Sequence, residues 1–211
     1  AGVTILNEMG VDHGIDHMSA MKIVDNLRIK GCAIRSFESF TGGLVAPESD
    51  DNPWHYKITW NPRNVVLAGR DGAKFKHEGE VKYIPYHKVF SRIETIKIPR
   101  MGEFEAYANR DSTLYRDLYN LHDVPTVFRG TLRRPGFCKA WDQLIQLGAT
   151  DDTIAIENSE KMTFRDFTNS FLIFRSQDSM ELKLCYHLGI RIASPTMEKL
   201  KWLGLFDDKE I

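Results

Sequence analysis

The chain has 211 residues, of which 42% are hydrophobic and 27% charged, so it can bury a substantial core and is not a disordered protein. Its formal net charge of −1 excludes the overall basic excess that binding to a nucleic-acid backbone requires. The sequence has no apolar run of about 18 residues that could span a bilayer, and it does not begin with the basic and apolar order of an export signal. We therefore expect neither nucleic acid nor a membrane as a partner.

The three cysteines are Cys32, Cys138 and Cys185, which lie far apart and never form a C-x-x-C pair. An odd number at this spacing argues against a disulfide framework and against a structural zinc site. The pattern favours a reducing compartment, and we expect a cytoplasmic location.

The first elements predict a strand, a loop, a helix and a second strand, which together form a βαβ unit. Residues 3–6 are typical of a strand, and because no cap, turn or initiator methionine precedes them, we expect the chain to begin inside a longer protein. The helix has Asp16 as its predicted N-cap and Gly31 just after its end. The second strand covers residues 32–40 and stops at the Thr-Gly-Gly turn at 41–43.

Shorter elements fill the chain up to residue 150. The pattern predicts strands at 56–60, 94–98, 104–107 and 126–133, a hairpin over 74–85, and helices from Pro62, over 112–119 and over 136–147. The dipeptide Glu78-Gly79 supplies the turn of the hairpin. Residues 1–150 are therefore predicted to form an α+β domain with a large mixed β-sheet flanked by helices.

The last part of the chain changes in character. Thr163 and Asp166 have the spacing of a capping box, and Ser194-Pro195 has the order of an N-cap followed by proline in the first helical turn. Residues 151–211 are therefore predicted to be all-helical.

Neither a nucleotide-binding turn nor a metal site is favoured by the spacing of the residues. The fifteen glycines never fall in G-x-G-x-x-G or G-x-x-x-x-G-K order, so the chain lacks both turns that commonly bind phosphate groups. Asp12, His13, Asp16 and His17 include two histidines four residues apart. However, His13 precedes the predicted helix and Asp16 has a simpler role as its cap, so a capped loop is favoured over a metal site. Asp12 is the carboxylate that this interpretation leaves without a structural role.

Arginines at two places are candidates for binding an anion. Arg110 stands directly before a predicted helix start, where backbone N–H groups and a guanidinium can converge on an anion. The alternative is a solvated neighbour of an Asp111 cap, and the sequence favours neither. In the last strand, period-two alternation places Arg129, Thr131 and Arg133 on one face. This face is either a carboxylate receptor or a charged surface exposed to solvent.

Six segments taken in order resemble the saccharopine dehydrogenases of the glutamate-forming kind. The matching segments are NEMGVDHGIDHM at 7–18, GGLVAPE at 42–48, DNP at 51–53, YKITWNPR at 56–63, NRDS at 109–112 and RGTLRRPGF at 129–137. The resemblance implies an N-terminal Rossmann domain, a central α+β domain that binds substrate and forms a dimer, and a helical insertion. This chain resembles the central domain with part of the helical one. The Rossmann half is expected to precede the first residue, which would explain the missing glycine turn.

The resemblance also implies a reaction and a set of substrate contacts. The reaction is the reversible, pyridine nucleotide-dependent condensation of glutamate with aminoadipate semialdehyde to give saccharopine, in lysine metabolism. By motif match, Arg110, Thr131 and Arg133 would hold the substrate carboxylates, and Leu132 would contribute its backbone. Because the Rossmann half is missing, we expect this chain to be inactive alone.

The cofactor implied is NADP or NAD, with its pyrophosphate bound outside this chain. Val11 and Asp12 would lie where cofactor and substrate meet, and Trp60 would close over the cofactor. Asp12 is the candidate catalytic residue, because a carboxylate beside the substrate nitrogen can handle a proton or stabilise an iminium cation.

A homodimer is implied as well, and the large apolar residues Trp54, Trp60 and Phe75 are consistent with an interface. Two departures from the family pattern bear on function: His13 replaces a usual proline, and Phe40-Thr41 replaces a common tyrosine-cysteine pair. They leave open a related enzyme that condenses another amino acid or an amine. A non-catalytic dimerisation module is the alternative from a different class.

Overall fold

The secondary structure is taken from a computed structural model that describes residues 2–7, 9–12, 14–173 and 177–211. The helices in these ranges are α1 (Ile15–Ile29), α2 (Pro62–Val66), α3 (Tyr115–Leu118), α4 (Phe137–Leu147), α5 (Phe164–Ser170), α6 (Met180–Leu188) and α7 (Pro195–Trp202). The strands are β1 (Ser36–Thr41), β2 (Ala73–His77), β3 (Glu80–Ile84), β4 (Ile93–Ile98), β5 (Gly102–Ala108) and β6 (Thr126–Arg133). The α+β prediction is confirmed.

The sheet is built around β6. Strand β1 runs parallel to β6 along six residues, whereas β5 pairs antiparallel with the end of β6 and β4 continues the sheet from there. The β2–β3 hairpin joins β6 near its beginning, at Val127. One parallel pair among antiparallel ones makes the sheet mixed, as predicted.

The two faces of the sheet differ in chemistry, because residues that pair across neighbouring strands point to the same side. The first, which we call the arginine face, carries Arg129, Thr131 and Arg133 on β6, with Ser39 and Thr41 beside them on β1. We call the second the groove face. Its members include Phe128 and Leu132 on β6, Glu38 and Phe40 on β1, and Phe104, Ala106 and Ala108 on β5.

The helices contribute to separate apolar clusters. A small cluster that includes Val24, Leu121 and Val127 packs α1 against the beginning of β6. The largest cluster runs from Trp141 in α4 to Leu200 in α7, so one apolar core continues across residue 150. The division at residue 150 stays a prediction.

Several turn and cap predictions are confirmed. The hairpin turn at Glu78 and Gly79 has φ values of 49° and 88°, which suit the mirror-image turns that connect strands tightly. Thr163 and Asp166 form a reciprocal capping box. Ser194 caps α7, whose first residue is Pro195.

Three local predictions are wrong. Residues 3–6 are exposed and form no strand, because no strand in the described ranges pairs with them, so the βαβ unit is incomplete. Residues 56–60 form an irregular loop because Tyr56 packs into the core instead. Gly14, not Asp16, caps α1. The helix predicted at 112–119 is present, as a 3-10 turn at Ser112–Leu114 followed by α3, although two of its apolar residues, Leu114 and Leu118, are exposed.

Within the described ranges, no helix combines the length and the apolar character that a membrane crossing needs.

Candidate functional site

The arginine face has two ends, which lie about 13 Å apart along β6 because a strand rises about 3.3 Å per residue. Arg129 lies at one end, next to the loop that precedes α1. Arg133 lies at the other end, next to the start of α4. Thr131 stands between them and faces Thr41 on β1.

At the first end, Arg129 is paired with two carboxylates of the protein. Its Nη2 atom donates to Asp12 at 2.8 Å and to Asp16 at 2.7 Å. The Arg129 side chain is only 6% exposed and that of Asp16 only 4%, whereas Asp12 is 44% exposed. The ring centroid of Tyr115 lies 4.0 Å from the guanidinium carbon and provides a cation–π contact. Arg129 thus links a buried carboxylate to a carboxylate at the surface.

The loop that carries Asp12 is closed tightly against α1. The amides of Ile15 and Asp16 donate to the carbonyls of Gly10 and Val11, at 2.9 Å and 3.0 Å. A Cβ atom on Gly14 would lie 2.1 Å from the Gly10 carbonyl oxygen, so only glycine fits there. Burial alone would raise the pKa of Asp16, but the hydrogen bond from the Gly14 amide and the nearby His17 outweigh it, so that pKa lies below its usual value.

Two further aromatic side chains enclose this end. The Tyr119 hydroxyl lies 2.6 Å from Nδ1 of His17, and the His17 ring stacks on Tyr115 at 5.7 Å. Burial raises the pKa of Tyr119 to about 12, so its hydroxyl stays protonated at neutral pH. We infer that this end of the face is a preorganised, mostly internal network.

At the second end, Arg133 is held by rings and not by carboxylates. Its guanidinium carbon lies 4.7 Å from the Tyr56 ring centroid and 5.3 Å from that of Phe137. One Nη atom donates to the carbonyl of Leu132 at 3.0 Å, while the buried Nε atom has no hydrogen-bond partner. Among the described residues, no carboxylate comes within 4 Å of this guanidinium. Arg133 therefore keeps donors for a ligand.

The carboxylate that lies opposite Arg133 is used elsewhere. Glu105 pairs with Arg133 across the sheet, but its two oxygens accept from the amides of Gly136 and Cys138, at 2.7 Å and 2.8 Å. These amides belong to the first turn of α4, which is otherwise without a side-chain cap. The amides at the start of α4 thus have a hydrogen-bond acceptor within the protein. Glu105 is therefore not available to pair with Arg133, although the two residues are neighbours across the sheet.

The other predicted substrate residues are partly brought together. Arg110 is exposed, has φ of 46°, and lies close enough to Tyr115 to influence its ionisation. The neighbouring Asp111 accepts from the Thr113 amide, so the predicted cap at that position exists. Leu132 is buried, and its carbonyl already receives the Arg133 hydrogen bond.

The predicted cofactor residues lie at the surface. Val11 is 65% exposed and Trp60 is 62% exposed, and Trp60 sits on the same loop as Tyr56. Trp54, by contrast, is 3% exposed and donates to the carbonyl of Lys199, so the prediction that it contributes to an interface is wrong. Its apolar ring is part of the core.

Sequence reasoning missed the central roles of Arg129, Tyr56 and Glu105. Period-two alternation indicates that Arg129 and Arg133 share a face, but it does not indicate which one is neutralised, because Asp12 is 117 residues away from Arg129. In the described part of the chain, no group of three or more metal-binding side chains is present. His13 lies outside the described residues, whereas Asp12 and Asp16 share Arg129.

Comparisons with known proteins match the whole of this region. The family model for the saccharopine dehydrogenase C-terminal domain matches residues 10–210. Saccharopine dehydrogenase (NADP(+), L-glutamate-forming) from Pyricularia oryzae is 34% identical over 100% of this chain and 48% of its own length. Alpha-aminoadipic semialdehyde synthase from Arabidopsis thaliana is 36% identical over 82% of this chain and 17% of its own length.

A solved structure is similar across the full chain. Saccharopine dehydrogenase (L-Glu forming) from Saccharomyces cerevisiae superposes with a TM-score of 0.83 at 33% identity, covering 100% of this chain and 48% of that protein. The chain therefore spans about half the length of the fungal relatives that it matches. By family match, sequence identity and fold, this chain belongs to the saccharopine dehydrogenase C-terminal domain family.

Proposed function

We propose that this chain is the substrate-binding and dimerisation part of an NAD(P)-dependent saccharopine dehydrogenase. The complete enzyme would interconvert saccharopine with glutamate plus aminoadipate semialdehyde, in lysine metabolism. The activity for which the fungal relatives are named supports this reaction. The observation in this chain that carries it is Arg133, a partly buried guanidinium with free donors and no carboxylate partner among the described residues.

Arg133 suits a substrate carboxylate for physical reasons. A guanidinium presents a planar fork that matches the two oxygens of a carboxylate, and the Tyr56 and Phe137 rings keep that fork in one plane. Such a pair in a partly desolvated cleft is worth about 2 to 4 kcal/mol when one partner is truncated. Thr131, two residues earlier on the same face, adds a hydroxyl near the same site.

Arg110 would hold a second carboxylate. It is exposed, and its charge reaches Tyr115 at the Arg129 end of the face. Two cations at separate points favour a substrate with several carboxylates over a polyamine. Thr41, where this sequence departs from the family, lies beside Thr131 and makes the related condensation enzyme the alternative to test with other amino acids.

The residues present suit the reactive end of a nicotinamide cofactor but not its phosphates. Exposed apolar groups at Val11 and Trp60 could contact the ring, while no glycine turn for the pyrophosphate is found in the sequence. When bound, the cofactor would accept or supply a hydride. Asp12 would place a fixed negative charge near the substrate nitrogen and favour its cationic form. NADP, which the names of the fungal relatives carry, is our proposal over NAD.

We also propose that the groove face forms a homodimer. The groove is about 420 Å³ in volume, and its lining combines apolar residues such as Phe75 and Phe128 with charged ones such as Glu38 and Arg92. A monomeric mass in light scattering of the full-length enzyme would contradict this proposal. A cytoplasmic location stays a proposal too, which the three free thiols support.

The test of substrate binding replaces Arg133 in the full-length enzyme. Arg133→Ala should raise the KM for saccharopine more than about tenfold, because about 1.4 kcal/mol corresponds to each factor of ten. Arg133→Lys should raise the KM for saccharopine less than Arg133→Ala does but should not restore the wild-type value, because lysine lacks the planar fork.

The matched control is Arg134→Ala. The Arg134 guanidinium lies over Phe104 on the groove face, 4.9 Å from that ring, so its removal should leave the KM unchanged. An unchanged KM in Arg133→Ala, or a parallel loss of thermal stability and activity, would remove the assignment of a carboxylate anchor.

A further inference from the structure

Asp12 and Asp16 are held by the same nitrogen atom of Arg129. Asp16 is buried in the first turn of α1, and its other oxygen accepts from the Gly14 amide at 3.0 Å. Asp12 is the exposed member of the pair. The three groups form a chain from the rigid helix, through the guanidinium, to a carboxylate at the surface.

Arg129 is itself held at both its backbone and its guanidinium. Its backbone amide donates to the Ser112 hydroxyl at 2.9 Å, and its carbonyl accepts from the Asn109 amide at 2.9 Å. Its guanidinium packs over the Tyr115 ring, and its Nη2 atom donates to both carboxylates. A side chain held at its backbone and at its guanidinium can hold another group to within a fraction of an ångström.

We propose that Arg129 is a positioning residue that sets the place of the Asp12 carboxylate in the reaction. The inference rests on the proposed role of Asp12 at the substrate nitrogen. Arg129 would not contact the substrate, because its side chain is only 6% exposed and its Nη2 atom is shared by two carboxylates of the protein. Its contribution would pass through Asp12, since displacing a reacting group by about 1 Å can cost about a hundredfold in rate.

The test is a double-mutant cycle in the full-length enzyme, with kcat and the KM for saccharopine measured for each variant. Asp12→Asn and Arg129→Lys should each lower kcat by about ten- to hundredfold, with a smaller change in KM. In the Asp12→Asn background, Arg129→Lys should cause no further loss, because the group that it positions is already gone.

Two other variants separate positioning from folding. Tyr115→Leu removes the ring beneath the guanidinium without changing a charge, and it should lower kcat by about two- to fivefold, again only while Asp12 is present. Arg28→Lys is the structural control: Arg28 ties α1 to the carbonyls of Tyr119 and Asn120 but does not touch Asp12. It should lower the unfolding temperature without changing kcat.

The outcomes are distinct. If Arg129→Lys keeps wild-type kcat, or multiplies the loss caused by Asp12→Asn, the positioning role is wrong. If Asp12→Asn itself keeps wild-type kcat, the proposed role of Asp12 fails and this inference fails with it. The assignment of Arg133 as a carboxylate anchor would survive both results, because its effect is on KM.

Discussion

Arg129 and Arg133 are the same residue type, four positions apart on one strand and on one face of the sheet. Arg129 meets two carboxylates and an aromatic ring, all supplied by the protein. Arg133 meets three aromatic rings, while the carboxylate opposite it accepts from the amides of α4. The first arginine is therefore part of the framework, and the second is available to a ligand.

The role of each arginine therefore depends on the groups that contact its guanidinium more than on its position in the alternating pattern of the strand. A buried cation that two carboxylates of the protein already neutralise fixes the geometry around it and has little charge left for a ligand. A guanidinium held by stacking keeps its donors and loses only its freedom to rotate.

The largest effect is expected for Arg129→Ala. It removes one partner of a buried ion pair and leaves Asp16 as a buried charge, which should lower the free energy of unfolding by about 3 to 5 kcal/mol. Urea unfolding at pH 7 measures this loss. Arg133→Ala, measured alongside, should change the free energy of unfolding far less.

The same variant should show a particular pH dependence. The pKa of Asp16 is lowered in the folded protein, so its contribution to stability is present above its unfolded pKa and is lost as pH falls through the folded pKa. The difference between wild type and Arg129→Ala should therefore shrink below about pH 4, near the usual aspartate value. A constant difference down to pH 3 would mean that the loss is one of packing and not of charge pairing.

A smaller effect is expected for Glu105→Gln. Glutamine can accept at only one of the two positions, so α4 should lose about 1 kcal/mol of capping energy. Because Glu105 does not neutralise Arg133, the KM for saccharopine should stay within about twofold, a change of about 0.4 kcal/mol. Thermal unfolding measures the loss of capping energy, and steady-state kinetics measure the KM. A large change in KM with unchanged stability would show that Glu105 belongs to the ligand site.

The smallest effect is expected for Tyr56→Leu. The ring lies 4.7 Å from the Arg133 guanidinium, and a contact of this kind is worth about 0.5 to 1 kcal/mol. The KM for saccharopine should rise about two- to fivefold. Tyr186→Leu, on the exposed side of α6, is the control and should leave KM unchanged.

Much of the fold could be predicted from local sequence. The hairpin at 78–79, the capping box at Thr163 and the alternation along β6 each follow from residues close in the chain. The strands at 3–6 and 56–60 could not be excluded in this way, because a strand exists only where a neighbour pairs with it. The Asp16 cap was wrong because the helix begins at Ile15, which places Asp16 inside the first turn and Gly14 at the N-cap.

The site could be predicted only in part. The arginine face follows from period-two alternation, and the resemblance to the family adds Arg110 and Asp12. The division of roles between Arg129 and Arg133 depends on contacts across the fold, such as that of Glu105 with α4, which no spacing in the sequence indicates.

The most direct test of the central claim is a crystal structure of the full-length enzyme with saccharopine and cofactor bound. We predict a substrate carboxylate oxygen within about 2.7 to 2.9 Å of the Arg133 guanidinium, with Arg129 still joined to Asp12 and Asp16. A carboxylate bound to Arg129 with that ion pair opened, or an Arg133 that touches no part of the substrate, would contradict the account.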